Sequence, residues 1–93
     1  MNDMSILQIE KKCALCGRVD GLERHHVMHG TANRKLAEKY GLTLWLCAEH
    51  HRGKMSPHQN HNIDVAFKMA AQKAFEQIYS HEEWMEIFGK NYL

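Results

Sequence analysis

The sequence predicts a single small α+β domain over residues 1–93. Two short segments, residues 22–28 and 42–47, alternate apolar and polar side chains as strands do. Residues 63–79 then repeat apolar side chains every three or four positions, as an amphipathic helix does. All three cysteines and most of the eight histidines flank the two strands. We therefore expect a metal-stapled core over about residues 11–61 and a helical part over residues 62–93.

The composition is that of an ordinary globular protein, with 44% hydrophobic residues, 25% charged residues and a formal net charge of +1. A chain this short has a thin core and often needs a structural metal. Its first residues lack the basic start and apolar run of a signal peptide, and no apolar run is long enough to span a membrane. We expect a soluble, cytoplasmic protein without a membrane partner.

The first elements are short. Residues 1–10 contain three apolar side chains that fit either a strand or a helical turn. Residues 13–17 form a tight knuckle, in which Gly17 permits the sharp turn. Because side chains alternate along a strand, adjacent His25 and His26 should point to opposite faces of the first strand.

The later elements are predicted from turn and cap residues. Asn33 is expected to cap a short helix that ends at Gly41. Residues 49–61 contain the only proline and are predicted to be irregular. A capping box at Ser80 predicts a last helix that carries Trp84 inward. The apolar C-terminal side chains either close the core or form a dimer face, and we favour the core for all four: Trp84, Phe88, Tyr92 and Leu93.

Two pairs of metal ligands have the same spacing. Cys13 and Cys16 form a Cys-x-x-Cys pair, and Cys47 with His50 repeats this spacing after the second strand. Brought together by paired strands, they form a Cys3His site for structural zinc. The alternative is a redox pair at the first two cysteines. His51 is a second candidate for the fourth ligand, but the Cys-x-x-His spacing favours His50.

Several histidines remain once the zinc site is filled. His25 and His26 end the first strand, His51 follows the second knuckle, and His58 lies a few residues further on. Neutral imidazoles bind divalent ions and also act as general bases. The surplus therefore indicates a second ion with open positions for a phosphate oxygen, and a histidine that deprotonates water for in-line attack. Ordinary core or surface roles are expected for the others: His29, His61 and His81.

Three motifs follow one another: Cys-x-x-Cys at residues 13–16, Glu-Arg-His-His-Val at residues 23–27 and Leu-Cys-Ala-Glu-His-His at residues 46–51. This order resembles the HNH endonuclease family, whose catalytic core is a ββα-metal (His-Me) finger. The chain is most similar to small HNH-like proteins of bacteriophages and prophages. That similarity includes "NRK…EKYGL" at residues 33–42 and "FGKNYL" at residues 88–93, and it covers nearly the whole chain.

The resemblance implies roles for the matching positions. His25 would bind the catalytic ion, His26 would be the general base, His51 would be a further metal ligand, and His58 would complete the site. The ion would be Mg²⁺, Mn²⁺, Ni²⁺ or Zn²⁺. The substrate would be DNA, cut by a monomer or homodimer, alone or with other phage DNA-processing proteins. Nucleic-acid contacts are expected from four basic residues: Arg52, Lys54, Arg34 and Lys35.

The chain departs from the family pattern at one position. The family usually has an asparagine just before the second strand, where this chain has Gly41. The candidates to replace it are Asn33, Asn60 and Asn62. This departure and the modest net charge favour an alternative function, a zinc-stapled module that binds nucleic acid or a phage protein without cutting. The surplus histidines favour the nuclease. A redox protein would leave Cys47 and the histidines unexplained.

Overall fold

The computed structural model describes residues 5–93, and over that range it is a mixed α+β domain with a two-stranded antiparallel sheet and four helices. The predicted α+β class is therefore confirmed. Within the described range, none of the helices combines the length and apolar character needed to cross a membrane. The elements are β1 (Leu22–His26), α1 (Thr31–Tyr40), β2 (Thr43–Cys47), α2 (Ala48–Arg52), α3 (His61–Ile78) and α4 (His81–Phe88).

β1 pairs with β2 so that His25 lies opposite Leu44. The prediction that His25 and His26 face opposite sides is confirmed, because His25 is buried whereas His26 is partly exposed. β1 is shorter than predicted because its alternation stops after His26, where Val27 and Met28 are both buried. The sheet is thus a small platform with one histidine on each face.

The connection between the strands contains α1, which begins at Thr31 and not after Asn33 as predicted. Gly30 occupies the N-cap position with φ 94° and ψ 155°, a conformation that favours glycine, and no side chain caps the helix. Asn33 therefore lies inside the first turn. The predicted end is confirmed, since Gly41 adopts a left-handed conformation and its N–H donates to carbonyls of the last turn.

The prediction of an irregular segment over residues 49–61 is wrong at its start, where α2 forms. Cys47 is both the last residue of β2 and the N-cap of α2, so the helix follows the strand without a linker. Glu49 in the first turn and Arg52 in the last turn complement the helix dipole. α2 ends at Gly53, where a Cβ atom would clash with the carbonyl of Glu49.

Two capped helices complete the domain. α3 begins where the Asn60 side chain accepts a hydrogen bond from the backbone N–H of Ile63. The predicted capping box is present at the start of α4. Ser80 accepts from the N–H of Glu83, whose carboxylate accepts from the N–H of Ser80.

The core lies between the sheet and the two C-terminal helices. Trp84 is fully buried, as predicted, and its ring packs edge-on against Phe75 with centroids 5.4 Å apart. The C-terminal segment is attached through buried Gln72, whose side-chain oxygen accepts from the N–H of Tyr92 at 2.7 Å. The favoured packing of the C-terminal side chains into the core is confirmed for Trp84, which is buried, and for Phe88 and Tyr92, which are partly buried against it. Leu93 is exposed.

The N-terminal segment forms neither a regular strand nor a helix over residues 5–10. The N–H of Ile6 donates to the carbonyl of Gly41 at 2.9 Å, and the Ile6 side chain packs against the core. Ile9 is fully exposed. Residues 1–4 of the ambiguous N-terminal prediction lie outside the described residues.

Candidate metal centres

The four residues of the predicted Cys3His site lie together, with one ligand atom from each within 4.8 Å of the others. The Sγ atoms of Cys16 and Cys47 are 3.8 Å apart, and His50 Nδ1 lies 3.3 Å from Cys47 Sγ and 3.7 Å from Cys13 Sγ. On a tetrahedral zinc, two sulfurs are about 3.8 Å apart, and a sulfur and a nitrogen are about 3.5 Å apart. These residues could bind a metal such as zinc, and the group includes His50 and not His51.

Backbone turns and hydrogen bonds hold the thiols of this site in position. Gly17 closes the first knuckle with φ 78°, as predicted, and the N–H of Ala14 donates to the carbonyl of Trp45 in β2 at 2.9 Å. Burial raises the pKa of Cys13, but hydrogen bonds from backbone N–H groups, foremost that of Cys47, outweigh burial and lower the pKa to about 6. Because the thiolate is the form that binds metal, this environment favours the metal-binding form of Cys13.

A second group of histidines surrounds His25. Its ring centroid lies 5.4 Å from those of His29 and His51 and 5.1 Å from that of His58. His58 is in turn 4.9 Å from His51 and 5.3 Å from His29. We call these four residues the histidine cluster. Two triplets have ligand atoms within 4.8 Å of one another: His25, His51 and His58, and His25, His29 and Asp64.

His25 is the central member of this cluster. It is 1% exposed, and neither ring nitrogen has a hydrogen-bond partner among the described residues. Leaving a buried polar group unpaired costs about 1–3 kcal/mol. Burial, followed by the charges of the neighbouring histidines, lowers the pKa of His25 to about 3, so the ring is neutral near pH 7. A buried neutral imidazole with free nitrogens fits a divalent metal ion, which would take the lone pair of one ring nitrogen.

The ring of His51 is oriented by a carboxylate. Its Nδ1 lies 2.7 Å from Oε1 of Glu23, and the other carboxylate oxygen of Glu23 pairs with Arg52 at 2.8 Å. The hydrogen bond from His51 is the main cause that lowers the pKa of Glu23. The remaining nitrogen, His51 Nε2, lies 3.3 Å from His58 Nε2. Two nitrogens on a tetrahedral zinc have about this separation.

His26 lies on the other face of the sheet and belongs to neither metal triplet. Its Nε2 is 2.7 Å from Oε1 of Glu38, a residue of α1. The second oxygen of Glu38 lies 3.4 Å from Nη2 of Arg24. When Nε2 donates to Glu38, Nδ1 of His26 carries the lone pair.

An open cleft of about 640 Å³ borders both faces at this end of the sheet, and its lining includes His26 and the histidine cluster. Two of the predicted basic residues, Arg34 and Lys35 in α1, also line the cleft. The other two, Arg52 and Lys54, are not among its lining residues. Arg52 is instead paired with Glu23, with its side chain 68% exposed.

Four residues of the site were not singled out by the sequence analysis: His29, Asp64, Glu23 and Glu38. The sequence indicates only weakly that Glu23 belongs to the site, because a residue two positions before His25 lies on the same face of the strand. His29 and Asp64 lie 35 positions apart in sequence, yet His29 Nε2 is 2.8 Å from Asp64 Oδ1. The expectation that His29 has an ordinary role overlooked this proximity, which only the packing of α3 creates.

The remaining candidates lie away from the histidine cluster. The side chain of Asn60 is occupied as the cap of α3, and Asn33 and Asn62 lie in helices outside the cleft lining. Exposed His61 begins α3, and His81 contacts Glu76 at 2.7 Å. The ordinary roles expected for these two histidines agree with their positions.

The chain was compared with protein families, curated proteins and solved structures. No family model matches it, and neither a curated protein nor a solved structure shows a significant match.

Proposed function

We propose that this protein is a metal-dependent HNH-type endonuclease that hydrolyses DNA phosphodiester bonds. The observation that carries the proposal is buried His25, whose unpartnered nitrogens lie among other imidazoles at the edge of a basic cleft. A buried side chain without hydrogen-bond partners is uncommon and needs an explanation, and a metal ion bound to one ring nitrogen supplies one. In this proposal the Cys3His site holds structural zinc, and His25, His51 and His58 hold the catalytic ion.

The order of elements supports a ββα-metal finger. β1 carries His25, β2 pairs with it, and α2 follows immediately with His51. Glu23 at the outer nitrogen of His51 leaves Nε2 free for a ligand. Metal-binding histidines usually donate their other ring N–H to a carboxylate, a backbone carbonyl or a water, and Glu23 fills this role for His51.

His26 is the proposed general base. Glu38 holds its Nε2 and leaves Nδ1 to take a proton from water. Arg34 and Lys35 stand on the cleft wall, where they can contact the phosphate backbone. When bound, the ion would stabilise the charge that develops on the phosphate and the leaving 3′ oxygen.

A plasmid-nicking assay with Mg²⁺, Mn²⁺, Ni²⁺ or Zn²⁺ tests this function. We expect nicking by the wild type and a loss of about 10²- to 10⁴-fold in His26→Ala, the usual contribution of a general base. The matched control is His61→Ala, which removes an exposed histidine and should nick like the wild type. Undiminished nicking by His26→Ala would show that the assigned base is wrong.

The second candidate function is a zinc-stapled binding module without catalysis. It is favoured by the absence of the family's asparagine before β2, where Gly41 stands, and by the net charge of +1. Metal content separates the two functions. One zinc per chain, with no second divalent ion and no nicking under any metal, would favour the binding module.

A further inference from the structure

We propose that His29 is a fourth ligand of the ion at the histidine cluster and that Asp64 positions its ring. The inference deepens the proposed function and rests on one part of it, the binding of an ion by His25, His51 and His58. The resemblance to HNH nucleases assigns no role to His29 or to Asp64. Both are brought to the cluster by the packing of α3 against the sheet.

The ring distances favour a common ion. Imidazoles that share a tetrahedral ion through nitrogens at about 2.0–2.1 Å have ring centroids about 5 Å apart. His29 lies 5.4 Å from His25 and 5.3 Å from His58. The three other ligands are separated from one another by 4.9 to 5.4 Å, so the separations of His29 from His25 and His58 match theirs.

The contacts of Asp64 indicate that it positions His29 and does not bind the ion itself. Its Oδ1 lies 2.8 Å from His29 Nε2, and its Oδ2 lies 2.8 Å from Lys68 Nζ. Both oxygens are thus engaged, and the Asp64 and Lys68 side chains are only 13% and 16% exposed. With Nε2 held by Asp64, the free nitrogen of His29 is Nδ1.

The same arrangement occurs on the other side of the cluster. His51 also has a carboxylate at one ring nitrogen, Glu23 at 2.7 Å, and that carboxylate is also paired with a basic residue, Arg52. Such carboxylates fix the tautomer and the orientation of a metal-binding ring. Two flanking histidines, each held in this way around buried His25, indicate a centre with four imidazoles.

A fourth imidazole reduces the number of coordination positions that the ion keeps open for a substrate, and the effect depends on the ion. A tetrahedral ion such as Zn²⁺ would have all its positions filled by the histidine cluster. A six-coordinate ion such as Ni²⁺ would keep open positions for water and phosphate. Ni²⁺ is therefore the informative probe for this centre.

The test is isothermal titration of Ni²⁺ into protein that already holds one zinc per chain. We expect one Ni²⁺ per wild-type chain and a dissociation constant about 10- to 100-fold higher in His29→Ala. Asp64→Ala should also weaken Ni²⁺ binding, and Asp64→Asn, which keeps an acceptor for His29, should recover part of the loss. His61→Ala is the matched control for weak binding to a surface histidine.

The outcomes separate this inference from the proposed function. If His51→Ala weakens Ni²⁺ binding and His29→Ala does not, the fourth ligand is wrong, although the three-histidine site stands. If neither variant changes Ni²⁺ binding, the fourth ligand and the three-histidine site are both wrong. Two Ni²⁺ ions, one of which is lost in His29→Ala, would also overturn the inference in favour of a separate ion at His29 and Asp64. Retained zinc and an unchanged melting temperature show that a variant is folded.

Discussion

His25 and His26 are neighbours in the chain, but β1 turns their side chains to opposite faces of the sheet. His25 is buried without a hydrogen-bond partner, whereas His26 is partly exposed and contacts Glu38. The environment therefore makes one imidazole a candidate ligand and the other a candidate base. The strand alternation behind this division is visible in the sequence. The contact with Glu38 depends on where α1 packs.

Glu38 provides a residue-scale prediction. We expect Glu38→Ala to lower nicking by at least about tenfold, because Nε2 of His26 loses the acceptor that orients the ring. Glu38→Gln retains an acceptor oxygen and should lose less. The measurement is plasmid nicking at saturating metal, together with Ni²⁺ titration. If Ni²⁺ affinity falls along with nicking, Glu38 supports the metal centre and not the base.

At the scale of elements, local signals predict helix ends well where a side chain or glycine caps them. The capping box at Ser80 and the left-handed Gly41 lie where the sequence indicated. α1 starts earlier than predicted because Gly30, and not Asn33, takes the N-cap position. α2 was missed because a helix of one turn has too little periodicity to be recognised.

The capping box provides a prediction for α4. Ser80→Ala removes the side chain that accepts from the N–H of Glu83, so the free energy of unfolding should fall by about 1 kcal/mol. For a domain of this size, such a loss lowers the melting temperature by roughly 4–8 °C. Ser80→Asp keeps an acceptor and should unfold near the wild-type temperature. Zinc content should be equal in all three proteins. Equal melting temperatures for Ser80→Ala and the wild type would show that the cap does not stabilise α4.

At the scale of the whole molecule, the two candidate metal centres lie close together but join different parts of the chain. The Cys3His site joins the first knuckle to the junction between β2 and α2. The histidine cluster joins β1, α2 and the segments before α1 and α3. Zinc is therefore expected to stabilise the fold, and the second ion is expected to serve function.

Removal of zinc tests this division. We expect a strong chelator to lower the melting temperature sharply, because metal-binding energy contributes to folding energy in small domains. Added zinc should restore it. His58→Ala should keep its zinc and melt like the wild type, since exposed His58 lies outside the Cys3His site. A wild type that melts at the same temperature with and without zinc would rule out a structural role for the metal.

The sequence by itself determined the three cysteines as candidate metal ligands, the α+β class and the opposite orientations of His25 and His26. These features depend on short spacings and on strand alternation, which are local properties of a chain. Only the tertiary structure decided that His50 lies among the cysteines and that His29 and Asp64 reach His25. The physical reason is sequence distance. Asp64 lies 35 residues from His29, and the packing of a long helix against the sheet brings them together.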